Sequence, residues 1–159
     1  MLIKYLLIHK NEIKEQHKLI FGDLLKKQNK VQGDLYKKTN KCELICIAKL
    51  NNKPVAIGAI KEKTKSVFGI AKANLPEIEN LINWELGYFY TEPNMNGQGI
   101  AKNIAKLLID EYKGFNLMAT TELEKNPAMV SILTRNGFEL NGSFNSVINN
   151  NTLGLFLKF

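Results

Sequence analysis

The stretch from Trp84 to Tyr112 constrains the fold of this chain more than any other. Trp84–Thr91 is rich in aromatics and reads as a strand. It runs into Glu92-Pro93-Asn94-Met95-Asn96-Gly97-Gln98-Gly99, a loop with two glycines. Ile100, Ile104, Leu107 and Leu108 then predict a helix to about Tyr112. A strand that turns through glycines directly into a helix leaves the first helical N–H groups without internal partners, at the positive end of the helix dipole. Glycines let a bulky anion approach that backbone with no Cβ in the way. Asn96-Gly97-Gln98-Gly99-Ile100-Ala101 is thus a candidate phosphate or pyrophosphate cradle, and Lys102 and Lys106 on the same helix add charge. It is not a mononucleotide loop, which needs Gly-Lys-Ser/Thr, because Ile100 follows Gly99. The dinucleotide fingerprint wants a small residue where Lys102 stands. On the loop alone, a tight strand-to-helix connection without a ligand stays open.

The remaining elements follow from periodicity. Leu2–Ile8 reads as a strand. Ile13, His17, Ile20, Phe21, Leu24 and Leu25 predict an amphipathic helix ending near Lys27. A short helix is expected around Asp34–Thr39. Glu43–Leu50 and Val55–Ile60 form a hairpin across Asn51-Asn52-Lys53-Pro54. Residues 62–82 are irregular, with Pro76 placed to open a short helix reaching Leu81. Phe115–Thr121 is a strand. Asn126-Pro127 starts a helix, since Asn caps well and Pro suits the first helical position, and Asn136-Gly137 ends it. Phe138–Val147 and Leu153–Phe159 close the chain as a hairpin. The alternation predicts a mixed α/β fold, a central and mostly antiparallel sheet of about seven strands flanked by about four helices.

At 159 residues the chain is expected to form one domain, 1–159, with a core that needs no disulfide or metal. The net charge is +7, concentrated at the front: residues 1–72 carry a net +10 and residues 73–159 a net −3. Only one of the 22 basic residues is arginine, Arg135. Base reading leans on arginine, so specific nucleic-acid recognition is not expected; the lysines read as a solvated face, with steering of an anionic ligand towards a cleft as the alternative. Cys42 and Cys46 lie four apart in an apolar run, too far apart on a strand for a disulfide. They suit a reducing compartment, and His9 and His17 have no cluster around them to make a metal site. The apolar start, Met1–Ile8, is too short for a signal-peptide core or a membrane span. The expectation is a cytoplasmic protein with no metal and no membrane partner, monomeric or homodimeric.

Two stretches carry a resemblance. Glu85-Leu86-Gly87-Tyr88-Phe89-Tyr90-Thr91-Glu92-Pro93, continuing through Asn96-Gly97-Gln98-Gly99-Ile100-Ala101, resembles the GCN5-related N-acetyltransferases (GNAT). In these a fourth strand ending in an apolar residue, any residue and proline precedes the acetyl-CoA motif. Gly99 and Ala101 fill that motif's last key positions, while Asn96 stands where Arg or Gln is usual. Asn126 to Glu139, with Asn126 at a helix start and Arg135, Gly137 and Phe138 at its end, is similar to the family's second motif. The resemblance implies an N-acetyltransferase using acetyl-CoA. The N–H groups from Gly97 to Lys102 would bind pyrophosphate, with Asn96 opening the motif. The pantetheine arm would lie between the fourth and fifth strands, against backbone groups of Phe89 and Thr91. One N–H would face the thioester oxygen, and Asn126 would reach the pantetheine with its side chain or simply cap its helix.

The resemblance also implies chemistry. An alkylammonium acceptor, with a pKa near about 10.4, must lose a proton before it attacks. Glu85, six residues before Thr91, stands where some family members carry a general-base glutamate; an exposed strand-start glutamate is the competing reading. Gly87 is a candidate for the strand irregularity that opens the cleft. The tyrosine that serves many members as general acid is replaced by Leu133. A protein that binds CoA and regulates or interacts, with little catalysis, is therefore the alternative. Phe21, Tyr36, Trp84, Tyr88 and Tyr90 are candidate walls of an acceptor pocket, or core. The acceptor amine itself is not specified.

Overall fold

The computed structural model describes residues 2–159. Seven strands, β1 (Ile3–His9), β2 (Cys42–Leu50), β3 (Lys53–Glu62), β4 (Trp84–Thr91), β5 (Leu117–Glu122), β6 (Glu139–Asn145) and β7 (Thr152–Lys158), hydrogen-bond in the order β1-β2-β3-β4-β5-β7-β6. Three α-helices accompany them: α1 (Glu15–Gln28), α2 (Ile100–Tyr112) and α3 (Pro127–Arg135). The short helix expected near Asp34–Thr39 is a 3-10 helix at Leu35–Lys41, started by Asp34, whose carboxylate accepts from the Tyr36 N–H at 3.1 Å. Of the pairings, β1–β2, β2–β3, β5–β7 and β6–β7 are antiparallel and β4–β5 is parallel.

The contacts divide the chain into two compact units, and β4 contributes to both. The first comprises residues 1–61 and 86–113. Its core joins Phe21, Leu24 and Leu25 of α1 to Ile8, Cys42, Ile45, Ile47, Ile57 and Ala59 of the three-stranded meander β1–β2–β3. The three-and-four spacing of α1 exists to bury this stripe, and Phe21 and Leu25 are fully covered. Both cysteines are buried and outside any disulfide, and burial pushes the Cys46 thiol up to about 12. On α2 the same logic buries Ile100, Ile104, Ala105, Leu108 and Ile109.

The second unit comprises residues 62–85 and 114–159. Val67, Phe68, Ile82, Met118, Leu155 and Leu157 form its core. The segment 62–82 contains only short 3-10 helices at Lys65–Phe68 and Glu79–Leu81. The helix expected to open at Pro76 starts at Glu79 instead; Pro76 to Ile78 form a turn, and Ile78 N–H donates to Leu75 O. Lys63 ties the segment together, donating to the carbonyls of Glu79 (2.7 Å) and Ile82 (2.8 Å) beside the Glu79 carboxylate at 3.4 Å. Phe138–Val147 is shorter than expected as a strand: β6 ends at Asn145 because Ser146–Asn151 makes the connection, closed by Ser146 N–H to Asn151 O.

Candidate functional site

β4 positions the site. Its last residues are locked in the first unit by Glu92 N–H donating to Val55 O at 2.8 Å. Phe89 turns its ring onto Gly58 and Ile104: a Cβ at Gly58 would stand 2.9 Å from the Phe89 ring and 2.7 Å from Ile104 Cγ2, so only glycine lets ring and helix reach the sheet there. The expected irregularity falls one residue after Gly87. Tyr88 takes the left-handed conformation with φ +60°, and Gly87 does not. For a bulky aromatic this costs about 1–3 kcal/mol. Contacts on the ring hold it: Phe21 lies edge-on with centroids 6.2 Å apart, and Lys61 Nζ sits 4.9 Å from the Tyr88 centroid.

The end of α1 reaches back to this kink. Gln28, its last residue, donates from Nε2 to Phe89 O at 2.6 Å. The amide's other end, Oε1, is buried with no hydrogen-bond partner, which costs about 1–3 kcal/mol. The preceding residue, Lys27, pairs with Glu92 at 2.6 Å, and Tyr90 Oη donates to the other oxygen of Glu92 at 3.4 Å. The Glu92 hydrogen bond raises the Lys27 pKa, whereas the Tyr90 phenol is raised first by burial and then by Glu92. Neither Gln28 nor the Tyr88 kink was visible in the sequence, because a helix-terminal glutamine and a strand tyrosine carry no motif.

Beyond β4 the loop is built as its glycines require. Gly97 and Gly99 have φ of +78° and +76°, and a Cβ at either would meet nothing within 4 Å. The glycines therefore serve backbone conformation, not relief of a clash, and the space above them is open. The first helical bond runs from Asn103 N–H to Gly99 O. Among the described residues, the six N–H groups from Gly97 to Lys102 donate to no backbone or side-chain acceptor. Asn96, Gly97, Gln98 and Gly99 are exposed, whereas the Ile100 side chain is buried and anchors the turn. Lys102 is exposed near the helix start, but Lys106 is engaged with Asp110 at 2.9 Å. A run of amides without protein acceptors, opening on an exposed glycine loop at a helix start, can hold a diphosphate.

Phe89, Thr91 and Asn96 to Lys102 thus belong to the first unit, and Glu85 and Asn126 to the second. Glu85 is not the exposed strand-start glutamate of the competing reading. It is 6% exposed, and Oε1 accepts from Thr64 N–H (2.9 Å) and Thr64 Oγ1 (2.8 Å). Asn126 caps α3, its Oδ1 accepting from Met129 N–H at 3.2 Å, which leaves Nδ2 for any further partner. Leu133 is fully buried. Of the aromatic candidates, Phe21 is core, Tyr88 and Tyr90 pack partly buried against that core, and Tyr36 is exposed with its hydroxyl on Asp23 at 2.9 Å.

The sequence profile of the acetyltransferase (GNAT) family matches residues 11–138. The chain belongs to that family. Residues 11–138 form an acetyltransferase domain of the GNAT type. No curated protein matches this GNAT chain. Solved structures share its fold. A chain of the NatC complex bound to Gag peptide and CoA is 20% identical with a TM-score of 0.72, covering 100% of this chain and 99% of that one. ElaA of Escherichia coli is 12% identical with a TM-score of 0.69, covering 98% and 99%. YncA of Salmonella typhimurium with acetyl-CoA is 12% identical with a TM-score of 0.63, covering 97% and 91%. No helix among the described residues is long and apolar enough to cross a membrane.

Proposed function

We propose that this GNAT domain transfers an acetyl group from acetyl-CoA to a primary amine by direct attack, with no covalent enzyme intermediate. The observation that carries the reading is the run of six N–H groups from Gly97 to Lys102 without a protein acceptor, on a loop whose two positive-φ glycines are exposed with open space above them. These amides hold the pyrophosphate, and the Lys102 ammonium adds charge. Backbone groups of Phe89 and Thr91 align the pantetheine arm, and the Nδ2 of Asn126 contacts it. Acetyl-CoA supplies the thioester. The amine nitrogen attacks the thioester carbonyl carbon, a C–N bond forms, the C–S bond breaks, and the nitrogen sheds one proton.

Glu85 takes the proton that the ammonium must lose, directly or through water, and the two Thr64 donors hold its carboxylate in one orientation. With Leu133 in place of a tyrosine, water or the nucleophile's own proton serves the departing thiolate. Positioning and backbone stabilisation of the oxyanion supply most of the rate. The acceptor is a small amine, an antibiotic, a polyamine, a lysine or a protein N-terminus. Peptides with a free α-amine enter that range because one structural neighbour is a ribosomal-protein-S18-alanine N-acetyltransferase, 13% identical. The protein works in the cytoplasm, as a monomer or homodimer.

A thermal-shift and thiol-release screen with acetyl-CoA across a panel of such amines tests the reading. Stabilisation by acetyl-CoA together with amine-dependent thiol release is the expected result. Stabilisation without release for any amine would leave the CoA-binding regulator, which buried Leu133 favours, as the correct description.

A further inference from the structure

We infer that Gln28 is a positioning residue for acyl transfer: its amide, bonded to the Phe89 carbonyl, holds the kinked Tyr88–Phe89 backbone of β4 in its working orientation. The inference rests on the acetyltransferase reading above. Two unfavourable features meet at this point of the strand. Tyr88 is left-handed although it is not glycine, and Gln28 Oε1 is buried without a partner. A stability-driven sequence would place glycine at the first position and an apolar residue at the second. Local strain retained at one spot marks a geometry that function requires.

The Gln28 bond fixes more than one atom. A trans peptide is planar, so pinning Phe89 O from the side of α1 also sets the direction of the Tyr90 N–H across the same plane. The orientation of the amide is settled by chemistry: Nε2 must face Phe89 O, because Oε1 there would oppose a carbonyl oxygen. The neighbouring Lys27–Glu92 pair at 2.6 Å holds the last turn of α1 in register with the strand. Phe89 O keeps a second lone pair, so the bond does not block the strand's use by a bound thioester.

The test compares Gln28→Leu and Gln28→Glu with the unaltered protein, using the best amine of the panel. Gln28→Leu removes the bond together with the orphan oxygen. Its kcat should fall about 10- to 100-fold, the scale of a misplacement near 1 Å. The dissociation constant for CoA, measured by calorimetry, should rise far less than kcat falls, because the amides at 97–102 that hold the pyrophosphate are untouched and only the pantetheine contact at Phe89 shifts. The melting temperature should not drop. Gln28→Glu puts a carboxylate against a carbonyl oxygen, and only its protonated form can donate. Its kcat should recover as pH falls, on a profile that neither the unaltered protein nor Gln28→Leu shows.

An unchanged kcat in Gln28→Leu overturns the inference and leaves the acetyltransferase reading intact. A parallel loss of CoA affinity and melting temperature also overturns it, by making Gln28 a purely structural residue. A Gln28→Glu profile that runs parallel to the unaltered one does the same. An unaltered protein that binds CoA but acetylates no amine overturns both readings.

Discussion

Gly99 and Glu85 allow the proposed binding and the proposed chemistry to be tested apart. At Gly99 the demand is conformational, since φ is +76° and nothing would touch a Cβ. Gly99→Val places a β-branched residue in the left-handed region, at a cost of about 1–2 kcal/mol, and tilts the amides that follow. Acetyl-CoA affinity should weaken more than about tenfold, which is about 1.4 kcal/mol, and calorimetry reads it directly. Unaltered affinity would remove the loop from cofactor binding. Glu85→Gln keeps an oxygen to accept from Thr64, so the fold persists. Transfer should slow by about 10²–10⁴ with CoA affinity spared, the range for losing one acid–base partner. Full turnover across the pH range would leave Glu85 as the anchor of residue 64 and nothing more. Glu85 and Gly99 stand out in the sequence as candidates because each sits in a motif. It did not show that Glu85 is buried and twice hydrogen-bonded, since Thr64 is 21 residues away and its bonds follow from tertiary packing.

At the scale of elements, capping and charge decide how helices begin. Asn126 gives α3 its N-cap, and Asn126→Ala should cost about 1 kcal/mol through the lost bond to the Met129 N–H. If the amide also contacts the pantetheine, KM for acetyl-CoA rises as well; thermal denaturation and initial-rate kinetics on the same variant separate the two roles. At the start of α1, Lys14 N–H donates to His17 Nδ1 at 3.0 Å. Burial, and then Lys14 and Lys49, lower the His17 pKa below its ordinary 6.5. The unfolded chain thus binds the proton more readily than the folded one. The stability held by neutral His17 is complete above about 6.5 and is lost as pH falls from there through the lowered folded value. Melting temperatures between about pH 7 and 5 should decline, and His17→Gln should flatten that part of the profile. An identical slope in the variant would assign the decline to the carboxylates. Helix spans were legible because period and caps agree: α2 runs Ile100–Tyr112 as its apolar spacing predicts. Pro76 opens a turn where its sequence also suits a helix start, because proline is equally at home in both.

Over the whole molecule, the element order and the seven strands were readable from alternation and turn chemistry, whereas the left-handed Tyr88 and the α1 contacts to β4 arise only once the chain is packed. Charge was readable too, and it left open whether the lysines steer an anionic ligand or only solvate a face. The first unit carries 16 basic and 8 acidic side chains, a net of +8, and the second 6 and 7, a net of −1. The cradle at 97–102 belongs to the positive unit, and acetyl-CoA arrives with several phosphate charges. Long-range attraction speeds encounter and is screened over about 10 Å at 0.1 M salt. Raising ionic strength should therefore lower kcat/KM for acetyl-CoA while leaving kcat nearly constant, because a bound cosubstrate is past the steering step. Replacing Lys102, the exposed lysine of the cradle, by glutamine should reduce the slope of that salt dependence. A kcat/KM that ignores salt would show that the lysines of this unit are a solvated surface and that the diphosphate is held by backbone amides alone.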